Sequence, residues 1–421
     1  MTYMNNLYSA RLFTLYAICL VAPLGNMTKF AYLIDDEKRG ITLFLVILLI
    51  SLTFIEIIKK GKFRNWICGV FFLLFLFFAW LGGFTISDQN TNSQIMILFG
   101  YATVTYCVFS LKLGEKEVGN IINILIFSLI MVASLSLINY FYFSSLLFVN
   151  DISTTWYSGD ERINLQGPYH SRSSFSSYII IGYSLVLGKL LFSNNKKEIA
   201  FLLFGLILIL WSSILTHSRS LLIAEFIVFL YYLFFFWTFS DKKNTKEKLY
   251  IGLAILILSI IVIMFLEQPR NTITYLYNAL NLQNIISSDS DMLRIKIIIS
   301  SFDELKNNIF GVGFSRINIE GWKYATNPHN NIVSLIRAGG VFGSICIVAF
   351  FYPIITMLIK PVSRKALLIS SVILGWAIIG MAHVNLSHLI IWVLFGLLFD
   401  MHSKKQEVVV SLDKKVMSPG Q

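Results

Sequence analysis

The fold class this sequence predicts is all-α: a polytopic bundle of about twelve transmembrane helices. Three observations predict it. Hydrophobic residues make up 56% of the chain and charged residues only 14%, more apolar surface than a soluble domain can hide. The apolar residues come in uninterrupted runs, such as Ile41 to Ile58 and Trp66 to Phe84, each long enough to cross a hydrocarbon core. Basic residues recur in every second loop between the runs. Inside lipid each backbone amide must be satisfied within its own segment, so such runs are helices. A membrane β-barrel would show short alternating segments instead.

The spans fall near 11–28, 40–58, 65–86, 93–111, 120–148, 173–192, 199–215, 220–239, 249–266, 331–359, 366–382 and 385–400. Residues 1–421 thus form one integral membrane domain, with a large loop, 267–330, inserted between the ninth and tenth spans. One set of loops carries Lys59, Lys60, Lys62 and Arg64, then Lys112 and Lys116, Lys196 and Lys197, Lys242 to Lys248, Lys360 to Lys365, and a basic tail. The other set includes Ser87 to Ser93, without Lys or Arg, and the polar loops 149–172 and 267–330. The positive-inside rule therefore places both termini in the cytoplasm and the long polar loops outside. The segment Lys29 to Arg39 is an exception, its basic residues diluted by Asp35, Asp36 and Glu37.

The net charge of +11 has its plain explanation in those cytoplasmic loops and does not point to nucleic acid. Cys19, Cys68, Cys107 and Cys346 all lie inside apolar runs without motif spacing, as small buried hydrophobes do. The first apolar run lacks a small-residue cleavage site, so no cleavable signal peptide is expected. The cytoplasmic loops hold no Walker A sequence, DxD-type acidic pair, HExxH or CxxC. ATP-driven transport and nucleotide-sugar chemistry on that side are disfavoured. No metal site and no cofactor are expected, since the polar outer loops lack clusters of acidic ligands.

The outer loop 267–330 is too long to be structureless. From Asp289 to Asn307, Met292, Ile295, Ile299, Phe302 and Leu305 repeat at helical spacing behind a capping Asp289 or Ser290. The segment reads as a helix suited to a membrane surface. Four polar clusters gather on the outer side. Asp160, Glu161 and Arg162 precede Gly167, Pro168, Tyr169, His170, Ser171 and Arg172; Thr216-His217-Ser218-Arg219-Ser220 makes a very short turn; Arg294 lies in the amphipathic stretch; and Asn327-Pro328-His329-Asn330-Asn331 opens the tenth span, with Arg337 farther along it.

Each residue also admits a structural reading. Arg219 can snorkel from a span end, although basic residues are under-represented outside. The asparagines beside His329 suit a helix cap, and a lone histidine is more often structural than catalytic. Arg294 can be the polar side of an interfacial helix. Arg162 and Arg172 can pair with Asp160 and Glu161 on the surface. Arg337, at membrane depth, calls for a polar interior, and His383 and His388 flank a tight outer turn. As a set, these residues say more. Guanidinium groups suit diphosphates through bidentate, charge-assisted hydrogen bonds, fixed arginines neutralise a departing diphosphate, and a histidine can deprotonate an attacking hydroxyl.

These segments resemble those of the O-antigen ligase and polymerase family. Asn327-Pro328-His329-Asn330, continuing to Ala338-Gly339-Gly340-Val341-Phe342-Gly343, is similar to its His-Asn opening and glycine-containing helix. Thr216-His217-Ser218-Arg219-Ser220 resembles its short Arg turn, Asn308 to Phe314 its G-x-G stretch, and Arg162, Gly167, His170 and Arg172 its Arg-and-Gly segment. Order and topology agree over 155–400; the first five spans match only in hydropathy. The resemblance implies a GT-C-like membrane glycosyltransferase of the bacterial inner membrane. It would take a glycan from undecaprenyl diphosphate at the periplasmic face and pass it to lipid A–core oligosaccharide, in lipopolysaccharide biosynthesis. By the same resemblance His329 is the catalytic base, Arg219 and Arg294 bind the diphosphate or position the acceptor, and Arg162, His170 and Arg172 contribute to substrate binding. One departure is that many members carry Glu near the place of Arg337. An O-antigen or capsule polymerase is the alternative within the family, and a polysaccharide flippase without catalysis the alternative outside it.

Overall fold

The structure, a computed structural model, describes residues 2–24, 41–86, 89–142, 152–157, 160–165, 167–169, 171–239, 289–317 and 328–417. In chain order the helices are α1 (Thr2–Val21, closed by a 3-10 turn, Ala22–Leu24), α2 (Ile41–Lys60), α3 (Ile67–Ile86), α4 (Gln89–Ser110) and α5 (Glu115–Tyr142). After two strands, β1 (Ile152–Tyr157) and β2 (Asp160–Leu165), come α6 (Arg172–Phe192), α7 (Lys196–Leu215) and α8 (Arg219–Phe239). The remainder is α9 (Asp289–Asn307), α10 (Asn331–Ile359), α11 (Arg364–Gly380) and α12 (Leu389–Met417). Every span expected from hydropathy has its helix except 249–266, which lies outside the described residues. Nine helices among those described are long and apolar enough to cross a membrane, so the chain is a polytopic helical bundle.

Two details depart from the hydropathy reading. α1 begins well before residue 11, because its one buried cation has partners: Arg11 is 2% exposed, pairs with Glu56, and donates to the Cys107 carbonyl at 3.0 Å and to Ser110 Oγ at 2.5 Å. The polar loop 149–172 contains an antiparallel hairpin that the span analysis did not foresee, with Thr155 opposite Arg162. β-branched and aromatic residues fill β1, Ile152-Ser153-Thr154-Thr155-Trp156-Tyr157, and favour a pleated pairing.

Among the nine described candidate spans α6 is the most enclosed, 94% buried over its apolar window. α11 packs between α6 and α8. There Gly375 faces Ile180 and Val228, and Tyr232 Oη donates to the Ser184 carbonyl at 2.8 Å and meets Ser371 Oγ at 2.5 Å. α10 lies along α3, with Phe75 beneath Gly339 and Gly343. Large apolar side chains such as Phe13, Phe44, Phe204, Phe234 and Val348 point outward, a surface suited to lipid. The end of the bundle that carries the basic loops is tied by ion pairs. Arg64 reaches Asp400 at 2.6 Å, Lys404 reaches Asp400 at 2.6 Å, and Lys365 reaches Glu115 at 2.7 Å. The opposite end carries the polar turns, α9 and the head of α10.

Candidate active site at the polar end of the bundle

The head of α10 is held by asparagines. Asn330 is its N-cap, and its Oδ1 accepts from the Ile332 and Val333 amides at 2.8 and 3.1 Å, relieving two of the orphan donors at a helix start. Its amide nitrogen donates to the Met381 carbonyl at 2.9 Å. Asn331 is buried and exchanges bonds with Asn385, whose backbone N–H donates to Asn331 Oδ1 at 2.9 Å. Asn385 in turn donates to Ser177 Oγ at 3.2 Å. These bonds pin α10 to the α11–α12 turn and to α6, and leave His329 exposed on a short, anchored stretch after buried Pro328. The asparagines therefore do have the structural role that the residue types suggest, and in that role they anchor the backbone next to the histidine.

The structure brings Arg294 to His329. The imidazole's affinity for a proton is lowered, first by partial removal from water and second by the positive charge of Arg294. The ring is thus held in the neutral form, in which one nitrogen accepts a proton. α9 occupies Asp289–Asn307, the range expected from its periodicity. Ile297 packs on Ile317, while Ile295, Ile299 and Phe302 stay exposed. That leaves an apolar stripe turned away from the protein.

α9 is joined to α10 by backbone pairing. Gly340 has φ 61° and ψ −156° inside α10, a conformation that L side chains avoid. The kink frees carbonyls upstream, and the loop after α9 takes them: Val312 N–H donates to the Arg337 carbonyl at 3.0 Å and Gly313 N–H to Ala338 at 3.2 Å. Val341 N–H returns a bond to the Ile309 carbonyl at 2.9 Å. Gly311, at φ 83°, lies so close that a Cβ there would meet the Arg337 and Ala338 carbonyls and the Gly340 nitrogen at 2.5–2.6 Å. The G-x-G stretch is therefore a docking edge for α10. It also seats the Glu304–Arg337 pair. Arg337, 2% exposed, donates from Nε to Glu304 at 2.6 Å and from its two terminal nitrogens to the Ser315 carbonyl and Oγ, at 2.5 and 3.0 Å.

Arg219 is the first residue of α8, at the same end of the bundle, and is half-buried. The turn before it closes through His217, whose φ of 51° is left-handed. Thr216 Oγ1 accepts from the Ser218 amide at 3.3 Å, and Ser218 Oγ lies 3.2 Å from Ser220 Oγ. Arg162 lies in β2 opposite Thr155, and Arg172 begins α6 with Ser171 as its N-cap. His170 lies outside the described residues. His388 is buried against the edge of Tyr178, with ring centroids 5.1 Å apart, and burial pushes its pKa down to about 4. It is a neutral packing residue.

Two side chains here escaped the sequence reading. Glu304 sits in a helix whose apolar stripe drew attention instead, and its partner is far along the chain. Arg316 follows the G-x-G stretch by three residues and has no motif of its own. With Arg337 it lines a cavity of about 180 Å³ beside Pro328.

A helical bundle of long apolar spans, with a histidine and several arginines at its polar end, defines a class: a multi-pass integral membrane protein. The middle of the chain is similar to the O-antigen ligase family. Residues 204–348 match the family model described as O-antigen ligase, a segment that runs from within α7 to within α10 and includes Arg219, Arg294, His329 and Arg337. Members are glycosyl-transferring membrane enzymes that use lipid-linked sugars. No curated protein matches the chain.

Proposed function

We propose that this chain is an O-antigen ligase. It transfers a glycan from undecaprenyl diphosphate to lipid A–core oligosaccharide at the periplasmic face of a bacterial inner membrane. The observation that carries the reading is His329 anchored at the head of α10 with the charge of Arg294 near enough to lower its proton affinity, within a segment that matches the family. Depressed proton affinity keeps the imidazole ready to act as a general base. His329 takes the proton from an acceptor hydroxyl, whose oxygen attacks the anomeric carbon of the donor glycan. The bond from that carbon to the diphosphate oxygen breaks, and Arg219 and Arg294 bind the departing diphosphate. A single displacement inverts the anomeric configuration. Arg162, His170 and Arg172 are assigned to substrate binding on the family resemblance.

The test is transfer by the purified chain in lipid, supplied with lipid-diphosphate glycan and core acceptor. His329→Ala abolishes transfer while the protein still folds. Arg219→Ala and Arg294→Ala reduce it strongly, and Lys at either position rescues poorly because bidentate geometry is lost. Full activity of His329→Ala refutes the assignment of the base. Chain lengthening on a repeat-unit acceptor with no transfer to core makes the protein a polymerase. Movement of lipid-linked glycan across the bilayer without transfer makes it a flippase.

A further inference from the structure

We propose that the cavity lined by Arg316 and Arg337 binds an anionic oxygen group, a carboxylate or phosphate, on the acceptor sugar that presents its hydroxyl to His329. The assignment deepens the glycan-transfer reading and rests on it for the word acceptor; the binding of a sugar acid there can be measured without it. Three observations support it.

The first is charge. Among the described residues the polar side chains on the cavity wall are Gln94, Ser315, Arg316, Ser334, Arg337 and Ser387, with no carboxylate in that set. Arg337 is already balanced by Glu304. Arg316 is exposed, and among the described residues no carboxylate pairs with it, so the described wall carries a net positive charge. The second is the wall chemistry. Hydroxyls and a primary amide offer the donors and acceptors that suit a sugar ring, and the buried guanidinium of Arg337 is fixed by Ser315 rather than free to swing. The third is place and size. Pro328 lines the cavity and is followed by His329, whereas Arg219 and Arg294 do not line it. At about 180 Å³ it is below the roughly 300–1,000 Å³ of pockets for drug-sized ligands, and suits one charged sugar better than a polyprenyl diphosphate.

The test uses the full chain purified in detergent, with binding read by saturation-transfer NMR. The probes are glucuronate, glucose 6-phosphate and two neutral controls, glucose and methyl glucuronate. The acidic probes bind about tenfold tighter than the controls, the gain expected of one charge-assisted contact. Arg316→Gln removes the difference, and Arg316→Lys keeps part of it. A preference for glucuronate over glucose 6-phosphate names a carboxylate as the natural group, and the reverse names a phosphate. Equal binding of acidic and neutral probes overturns the proposal, as does an unchanged preference in Arg316→Gln. Competitive displacement of the acid by a short isoprenyl diphosphate also overturns it, because the cavity then serves the donor. In the transfer assay Arg316→Gln raises KM for an acidic acceptor and leaves the donor KM unchanged. If the wild type binds the acids with this charge preference but transfers nothing, the transfer reading fails and the anion site stands.

Discussion

Two histidines at the polar end show how far neighbours decide what an imidazole does. His329 is exposed, but partial desolvation and Arg294 both disfavour its protonated form. A base acts only when unprotonated, so transfer should fall as pH drops through its depressed pKa and persist above it. Arg294→Gln removes one of the two causes, so the acid limb of the rate–pH profile of the residual activity should move to higher pH. An unmoved limb would dissociate the two residues. His388 is buried outright, and its pKa falls from the ordinary 6.5 to about 4. The unfolded chain therefore takes up a proton near pH 6.5 that the folded chain refuses, and stability is lost progressively as pH falls from about 6.5 towards about 4. Thermal denaturation of wild type and His388→Met across that range should show a steeper loss in the wild type. At this scale the sequence revealed residue types and little of their pairing. Arg337 was recognisable as a cation in need of a polar surrounding, yet Glu304 was not recognisable as its partner, because the two meet only once α9 docks on α10.

Elements were more legible than pairs, since their signals are local. The period of apolar residues from Asp289 to Asn307 located α9, and the Asn-Pro-His-Asn run marked the head of α10. The hairpin of β1 and β2 was missed because spans dominate hydropathy and a short strand pair barely registers against them. The kink at Gly340 was also hidden: adjacent glycines in an apolar run read as a packing surface, and the reason for one of them lies in the loop that docks there. Gly311→Ala tests that junction. The substitution strains a left-handed backbone and drives a methyl into the Arg337 and Ala338 carbonyls, so the two Val312 and Gly313 bonds must open. Transfer should be lost with α2 to α8 still folded, read as retained helical circular dichroism together with protease cleavage near 308–316. Retained activity would show that α9 and α10 do not need their shared edge.

The bundle as a whole follows from composition, with long apolar runs becoming helices and lipid-facing residues left outside. Its orientation rests on loop charge alone, and the expectation is that the polar end faces the periplasm. In a background without the four native cysteines, Met381→Cys should react with a membrane-impermeant thiol reagent in intact cells. Lys197→Cys should react only after permeabilisation. The opposite pattern would move the proposed chemistry to the cytoplasm, and with it the reading of the donor. What composition did not convey was which span is central. α6 is distinguished by enclosure on every side, which depends on how neighbouring helices associate and not on its own hydropathy.

The break at Gly340 has one further effect. The stretch from Val341 to Ile359 is by itself about 28 Å long at 1.5 Å per residue, close to the roughly 30 Å hydrocarbon thickness. Insertion into the bilayer is satisfied by that stretch alone. The preceding turns, with Asn331, Ser334 and Arg337, then belong mechanically to the loop that clasps them. On this length argument the turn that carries Arg337 is not needed to span the hydrocarbon. Stretching or thinning the bilayer would be absorbed by tilting of the distal part of α10, and the clasped turns would keep their shape while the lipid changes thickness.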